Sequence, residues 1–152
     1  GTDGLRDEAL ISDIGAEALA TSFFSAPTSP ADNPNQTKLH ELYTAAYDEP
    51  ADKPFVDQTY DATFMALLAV EQAGSADRAK MAEALRAIAS APGEKVGPGE
   101  WAKAKALIAE GKDIDYDGAG GTYDFDENGD VAGFIGKFVV DGTVYKQIAI
   151  VE

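Results

Sequence analysis

The chain has 152 residues, of which 45% are hydrophobic and 26% charged, and this composition is typical of a globular protein rather than a disordered one. Its 27 acidic and 12 basic side chains give a formal net charge of −15, which repels phosphate backbones and anionic lipids and so argues against nucleic acid or bare membrane as partners. Cysteine is absent, which excludes disulfides, thiolate metal sites and cysteine nucleophiles.

The first third of the chain predicts a helix, a strand and a second helix. Apolar residues at nearly helical spacing predict a short helix over residues 5–14 that ends at Gly15. A strand is expected over residues 19–26, before a loop rich in proline and asparagine. Thr37 suits the N-cap of a helix that continues to about Tyr47.

Three further helices are predicted in the middle of the chain. Apolar residues lie almost all around the segment 60–73, which predicts a buried central helix that ends before Gly74. Ser75 suits the N-cap of the next, amphipathic helix. Residues 91–99 contain two prolines and two glycines and therefore predict a loop, and helical spacing returns over residues 100–110.

The C-terminal third changes to aromatic and β-branched residues. Such runs occur at 123–125, 134–140 and 143–151, and Asn128-Gly129 and Asp141-Gly142 separate them as expected hairpin turns. We therefore predict an antiparallel β-meander. These strands are few for the number of helices, which indicates an α/β or α+β arrangement whose sheet is incomplete.

An ordered set of motifs covers nearly the whole chain. Tyr60-Asp61-Ala62 begins the long apolar helix, and that helix ends in Glu71-Gln72-Ala73-Gly74-Ser75. Ile114-Asp115-Tyr116-Asp117-Gly118 then precedes an aromatic and acidic run over residues 121–130 that looks like a closing hairpin. In this order the motifs resemble the periplasmic solute receptors that bind branched-chain amino acids. The resemblance implies an α/β fold that is part of the two-lobe, type I periplasmic-binding architecture.

The family's two lobes are joined by three crossings of the chain, and the ligand lies in the cleft between them. By this resemblance residues 1–18 belong to the second lobe, residues 19–130 mostly to the first, and residues 131–152 form a hairpin that returns to the second. The beginning of the chain, which is neither a signal peptide nor an initiator sequence, is expected to have been cut. Sheet edges and helix faces left open by missing segments would favour self-association or cover by another chain.

The resemblance also implies two ligand-binding residues. Asp3 aligns with the acidic position that accepts hydrogen bonds from a ligand's α-ammonium group, and Phe55 aligns with the aromatic residue that packs on the ligand's side chain. Without the resemblance, the pattern favours a turn or a helix cap at Asp3 and a core residue on a short strand at Phe55. Tyr60 and Asp61 are predicted to be structural, with Asp61 in the first turn of its helix, where the helix dipole favours negative charge.

One acidic segment also fits a calcium-binding loop. Asp113, Asp115 and Asp117 have the spacing of the first ligands, and Asp124 occupies the twelfth position. Such a loop needs flanking helices, whereas the residues that follow predict a strand. We therefore predict no metal or other cofactor, and keep a calcium-stabilised structural or interaction module as an alternative.

Patterns of catalytic residues are not found in the sequence. The single histidine, His40, lies beside Glu41 on the polar side of its helix and is predicted to be a surface residue. The sequence contains no nucleophile elbow, no phosphate-binding loop and no histidine pair for zinc. We therefore predict that the protein is not an enzyme.

The function implied by the resemblance is that of a periplasmic, or more generally extracytoplasmic, solute-binding component of an ABC transporter. It would capture an amino acid with a branched-chain or other apolar side chain and present it to a membrane permease. A sensory ligand-binding domain of the same fold is an alternative. The chain alone is expected to bind its ligand weakly or not at all, because half of the polar groups that orient the ligand would lie elsewhere.

Overall fold

The computed structural model describes residues 1–151, which form two compact units. No helix in this described part of the chain is long and apolar enough to cross a membrane. The first unit contains Gly1–Ala31, Lys53–Phe55 and the described residues from Gly133 onward, and the second contains Asp32–Asp52 and Val56–Ala132.

Helices and strands follow a 3₁₀ turn at Asp3–Leu5. In chain order they are α1 (Glu8–Ile14), β1 (Phe24–Thr28), α2 (Pro34–Tyr47), α3 (Val56–Ala73), α4 (Arg78–Ala89), β2 (Glu94–Val96), α5 (Trp101–Ala109), β3 (Ile114–Tyr116), β4 (Phe134–Asp141) and β5 (Val144–Val151).

The first unit is built on a three-stranded antiparallel sheet with the strand order β1-β4-β5. Phe24 of β1 lies opposite Phe138 of β4, and both side chains are buried in one apolar cluster with Ile11 of α1. The turn that joins β4 to β5 is Gly142-Thr143, one residue later than the predicted Asp141-Gly142, and Gly142 has a positive φ of 67°. The antiparallel C-terminal hairpin is thus confirmed.

The second unit packs helices α3, α4 and α5 around a short parallel pair, β2 and β3. Tyr116 of β3 is fully buried, and its ring stacks on Phe64 of α3 with 5.3 Å between the ring centroids. The buried members of this core come from all three helices and both strands. They are Phe64, Met65, Leu68, Ile88, Ala89, Val96, Ala104, Leu107, Ile114 and Tyr116.

Burial of α3 is confined to one face, so the prediction of a helix buried on all sides is wrong. Leu68 is 0% exposed, whereas the neighbouring Leu67 is 52% exposed. The buried positions recur at intervals of three or four residues, the spacing of one helical face. Gly74 follows the helix with a φ of 57°, and the predicted end is confirmed.

Two predicted helix starts are wrong, because other side chains cap those helices. The side-chain oxygen of Asn33 accepts a hydrogen bond from the Asn35 amide at 2.9 Å, so α2 begins before Thr37. Asp77, rather than Ser75, accepts hydrogen bonds from the first amides of α4. Asn33 is a stronger capping residue than Thr37, whereas Asp77 and Ser75 are about equal, so spacing could not distinguish the last two.

The short strands were placed incorrectly from the sequence. The strand predicted over residues 19–26 begins only at Phe24, and the loop predicted over residues 91–99 contains β2. The run 123–125 is not a strand. Because β2 and β3 have three residues each and pair in parallel across α5, their pattern is too short to indicate a strand without the partner.

The fold predicts that alanine substitutions at two adjacent leucines of α3 have very different effects on the free energy of unfolding. Leu68→Ala should lower the free energy of unfolding by about 2–5 kcal/mol, since it removes a fully buried side chain. Leu67→Ala, the matched control, should change it by no more than about 0.5 kcal/mol. Urea unfolding of both variants of the full-length protein measures this, and equal losses would contradict the assigned face.

Candidate functional site

Asp3 follows a residue that pairs with β1. The amino nitrogen of Gly1 donates a hydrogen bond to the carbonyl oxygen of Phe23 at 2.7 Å, and the amide of Ser25 donates to the carbonyl oxygen of Gly1 at 3.0 Å. This is the hydrogen-bond pattern of neighbouring parallel strands. Asp3 therefore lies just beyond the carboxyl end of a strand-like segment, the edge at which open α/β sheets bind ligands.

The Asp3 carboxylate has no hydrogen-bond or ion-pair partner among residues 1–151, and the side chain is partly exposed. The cap of α1 is Asp7, whose Oδ1 accepts a hydrogen bond from the Ala9 amide at 2.8 Å. The alternative that Asp3 caps the following helix is therefore wrong. Its carboxylate remains available as a hydrogen-bond acceptor.

Phe55 has an unusual backbone conformation and an exposed ring. Its φ is 68°, in the left-handed region that non-glycine residues rarely adopt, and its side chain is 41% exposed. The residue lies outside the strands, so the alternative of a core phenylalanine on a short strand is wrong. Strained backbone of this kind concentrates at functional sites, and Phe55 belongs to the same compact unit as Asp3.

The second unit contains a buried carboxylate that the sequence did not reveal. Asp61 of α3 is 0% exposed. The two carboxylate oxygens accept hydrogen bonds from four groups of the described chain. These donors are the Tyr116 hydroxyl at 2.7 Å, the Ala119 amide at 3.1 Å, the Gly120 amide at 2.7 Å and the Tyr123 hydroxyl at 2.6 Å.

The predicted role of Asp61 in a first helical turn is corrected by this arrangement. Because α3 begins at Val56, Asp61 lies in the second turn, where the helix dipole has little effect. Its contribution is as an acceptor for buried donors, each of which would cost free energy if left unpaired. Tyr60 is structural as predicted. Its ring stacks on Phe64 with 5.6 Å between the ring centroids, and its hydroxyl oxygen accepts a hydrogen bond from the Gly99 amide.

The two tyrosine hydroxyls remain protonated donors at neutral pH. Burial raises the pKa of Tyr116 and of Tyr123 well above the usual range, and the negative charge of Asp61 raises both further. Both hydroxyls therefore keep donating to the carboxylate over the physiological pH range.

The loop that follows β3 depends on glycine at two positions. A Cβ atom on Gly118 would collide with the Asp61 carboxylate, and a Cβ on Gly120 would lie 2.7 Å from the Tyr123 hydroxyl oxygen. These contacts are too close for any side chain. The loop thus approaches Asp61 closely enough for its amides to bind the carboxylate.

Asparagines at the start of α2 hold the same loop from another direction. The side-chain amide of Asn33 donates to the carbonyl oxygens of Gly118 at 3.1 Å and Ala119 at 2.9 Å, and Asn35 donates to the carbonyl oxygen of Asp117 at 2.8 Å. Asp61 therefore binds the loop's amides while the asparagines bind its carbonyls.

A second carboxylate of α3, Asp57, contacts two side chains of α2. His40 Nε2 lies 2.8 Å from Asp57 Oδ1, and Gln36 Nε2 donates to Asp57 Oδ2 at 2.7 Å. The His40 side chain is 37% exposed, as predicted for a surface residue, but its contact with a buried carboxylate was not expected from the sequence. Asp57 and Asp61 are four residues apart on the buried face of an apolar helix, and this spacing was the signal in the sequence that could have revealed both.

Two of the acidic residues considered for calcium, Asp115 and Asp124, make contacts with other groups of the protein. Asp115 is on β3, is buried and pairs with Lys95 at 2.8 Å, and this hydrogen bond raises the pKa of Lys95. Asp124 accepts a hydrogen bond from the Ala91 amide at 3.3 Å. Within residues 1–151, no group of three or more acidic, histidine or cysteine side chains is placed to hold a metal ion. Neither Asp113 nor Asp117 joins such a group.

Removing the Asp61 carboxylate should destabilise the protein strongly. Asp61→Ala leaves two backbone amides and two tyrosine hydroxyls without this acceptor, so we expect a loss of about 3 kcal/mol or more in the free energy of unfolding. Glu83→Ala, which removes an exposed acid of α4, is the control and should have little effect. Chemical denaturation measures both, and comparable stability of the two variants would overturn the role assigned to Asp61.

The chain is similar to proteins that bind small molecules. A family model described as "Receptor family ligand binding region" matches residues 11–134. The chain is 29% identical over 133 residues to the chemotactic signal transduction system substrate-binding protein BasB of Halobacterium salinarum, an alignment that covers 81% of this chain and 32% of BasB.

A likeness to a solved structure agrees with this match. The crystal structure of a leucine binding protein, LivK, from Thermotoga maritima covers 99% of this chain with a TM-score of 0.66 and 27% sequence identity, and the match extends over 36% of LivK. The chain spans about a third of the length of both relatives. The predicted α/β fold, part of the type I periplasmic-binding architecture of the branched-chain amino acid type, is confirmed.

Proposed function

Because this chain belongs to the receptor-family ligand-binding regions, we propose that it forms part of a receptor that captures an α-amino acid with an apolar side chain. The observation that carries this proposal is the Asp3 carboxylate, which is held just beyond a strand-like segment and has no partner within residues 1–151. Capture rather than catalysis is the proposed activity, since the relatives are named as binding proteins.

Asp3 is the proposed anchor for the ligand's ammonium group. A carboxylate offers two acceptor oxygens and the opposite charge, and hydrogen bonds between charged groups are about twice as strong as neutral ones. The partly exposed position lets a ligand reach the carboxylate without first breaking a contact within the described chain.

Phe55 is the proposed contact for the ligand's apolar side chain. Its ring is exposed although aromatic side chains gain much from burial, so a ligand that covers the ring would remove apolar surface from water. Leucine, isoleucine and valine offer such surface, and the name of the LivK relative describes leucine binding.

The proposed partner is the membrane permease of an ABC transporter, and the proposed location is periplasmic or otherwise extracytoplasmic. A sensory role is the second candidate, and it is favoured by one observation: BasB is named as part of a chemotactic signal transduction system. Binding of the ligand would be the same in both roles, and the membrane partner would differ.

The division into lobes stays a prediction. We propose that residues 1–18 and 131–152 contribute to one lobe and residues 19–130 mostly to the other, so that the ligand is bound in the cleft. Since the chain spans about a third of its relatives, we also propose that residues 1–152 alone bind ligand weakly and that their open apolar surfaces favour self-association.

Calorimetric titration of the full-length protein with leucine, isoleucine, valine and alanine tests the proposed function. Asp3→Ala should weaken binding of every amino acid by about 10-fold to 100-fold, because each has the same ammonium group. Asp13→Ala removes an exposed acid of α1 and serves as the control, with unchanged affinity. If the unaltered protein binds no amino acid, the proposal fails, and if Asp3→Ala binds normally, the assigned anchor is wrong.

A further inference from the structure

We propose that the guanidinium group of Arg6 binds the carboxylate of the ligand, while Asp3 binds the ammonium group. This inference rests on the proposed function, because it assigns a partner to the second charged group of the same amino acid. The observations that carry it are the surroundings of the Arg6 guanidinium and the turn that joins Arg6 to Asp3. Both residues belong to the first compact unit.

The Arg6 guanidinium has no acidic partner within residues 1–151. Its Cζ atom lies over the Phe138 ring, 4.1 Å from the ring centroid, and the side chain makes no hydrogen bond or ion pair with the described chain. The residue is partly buried. Charged side chains that leave water are normally paired, and this chain has 27 acidic residues from which a partner could come. A partner from outside the described chain would complete the contacts of this cation.

Partial burial of the Arg6 cation is not compensated by neighbouring groups. Burial lowers the pKa of Arg6 from its usual value, and the nearby Tyr145 side chain acts in the opposite direction with a smaller effect. The attraction to the Phe138 ring uses one face of the planar guanidinium, whereas its five N–H donors lie along its edge. A ligand carboxylate would supply two acceptor oxygens and a negative charge to that edge.

A single 3₁₀ turn places Asp3 and Arg6 on the same side of the chain. The Arg6 amide donates a hydrogen bond to the carbonyl oxygen of Asp3 at 2.9 Å, and the Leu5 amide donates to that of Thr2 at 3.1 Å. In such a turn the side chains of residues i and i+3 lie over each other, with about 6 Å between them along the axis. The two opposite charges nevertheless form no ion pair with each other within the described chain, since the guanidinium lies on Phe138.

An α-amino acid carries the two charges that would pair with these side chains. Its amino nitrogen and carboxyl carbon are bonded to the same carbon atom and lie about 2.5 Å apart. With a hydrogen bond of about 3 Å at each end, the ligand joins two groups that are too far apart to pair directly. Arginine suits this role better than lysine, because its planar fork can donate two parallel hydrogen bonds to one carboxylate.

The test compares leucine with leucinamide, in which a neutral amide replaces the carboxylate. Calorimetry of the full-length protein is done at about pH 6, below the ordinary pKa of an α-amino group, and competition with leucine keeps weak binding of leucinamide measurable. Arg6→Gln should lower the affinity for leucine by about tenfold or more and change that for leucinamide by less than about twofold. Arg6→Lys, which keeps the charge without the fork, should lose less. Arg78→Gln removes an exposed arginine of α4 and should change neither affinity.

The outcomes separate this inference from the proposed function. A loss for leucine alone in Arg6→Gln, with Asp3→Ala weakening both ligands, supports the carboxylate contact. An equal loss for both ligands shows that Arg6 only supports the fold around Phe138 and overturns the inference, as does unchanged binding of leucine by Arg6→Gln. Equal affinity of the unaltered protein for leucine and leucinamide overturns it too, although the ammonium contact of Asp3 could still hold. If the unaltered protein binds neither ligand, the proposed function and this inference both fail.

Discussion

The burial of one carboxylate, Asp61, is the constraint on which much of the second unit depends. A charged group in a protein interior is tolerated only when its oxygens are hydrogen-bonded, and here backbone amides and tyrosine hydroxyls from the region after β3 supply the donors. To provide them, the loop must pass close to α3, which requires glycine at Gly118 and Gly120. Asn33 then satisfies the loop's carbonyls and also caps α2.

Polar contacts of this kind also connect the core to the proposed function. Asp61 and Asp57 lie on one face of α3, one turn apart, and bind different neighbours: the loop after β3 and helix α2. The same helix begins directly after Phe55. A residue proposed to contact ligand is therefore adjacent in sequence to the first turn of α3, in which Asp57 is hydrogen-bonded to α2.

Local patterns predicted the parts of the fold that local interactions determine. The hairpin of β4 and β5, the extent of α5 and the end of α3 at Gly74 each depend on residues close together in sequence. The strand β2 and the buried face of α3 depend on distant partners, so spacing alone misplaced them. The start of α2 was misplaced for a local reason, because Asn33 rather than Thr37 caps the helix. For the site, the resemblance supplied Asp3 and Phe55, and both stay predictions. Asp61 was predicted to be structural, but its burial and that of Asp57 were missed because acidic residues are rarely buried.

Native-state hydrogen exchange at the amides of Ala119 and Gly120 tests most directly whether Asp61 organises this region. Both amides lie in a loop, where exchange is ordinarily fast, yet both donate to the Asp61 carboxylate at 3.1 and 2.7 Å. We predict that they exchange as slowly as the core amides of α3, through global unfolding of the second unit. Rapid exchange of both, at the rate of an exposed loop amide without a hydrogen bond, would contradict the account.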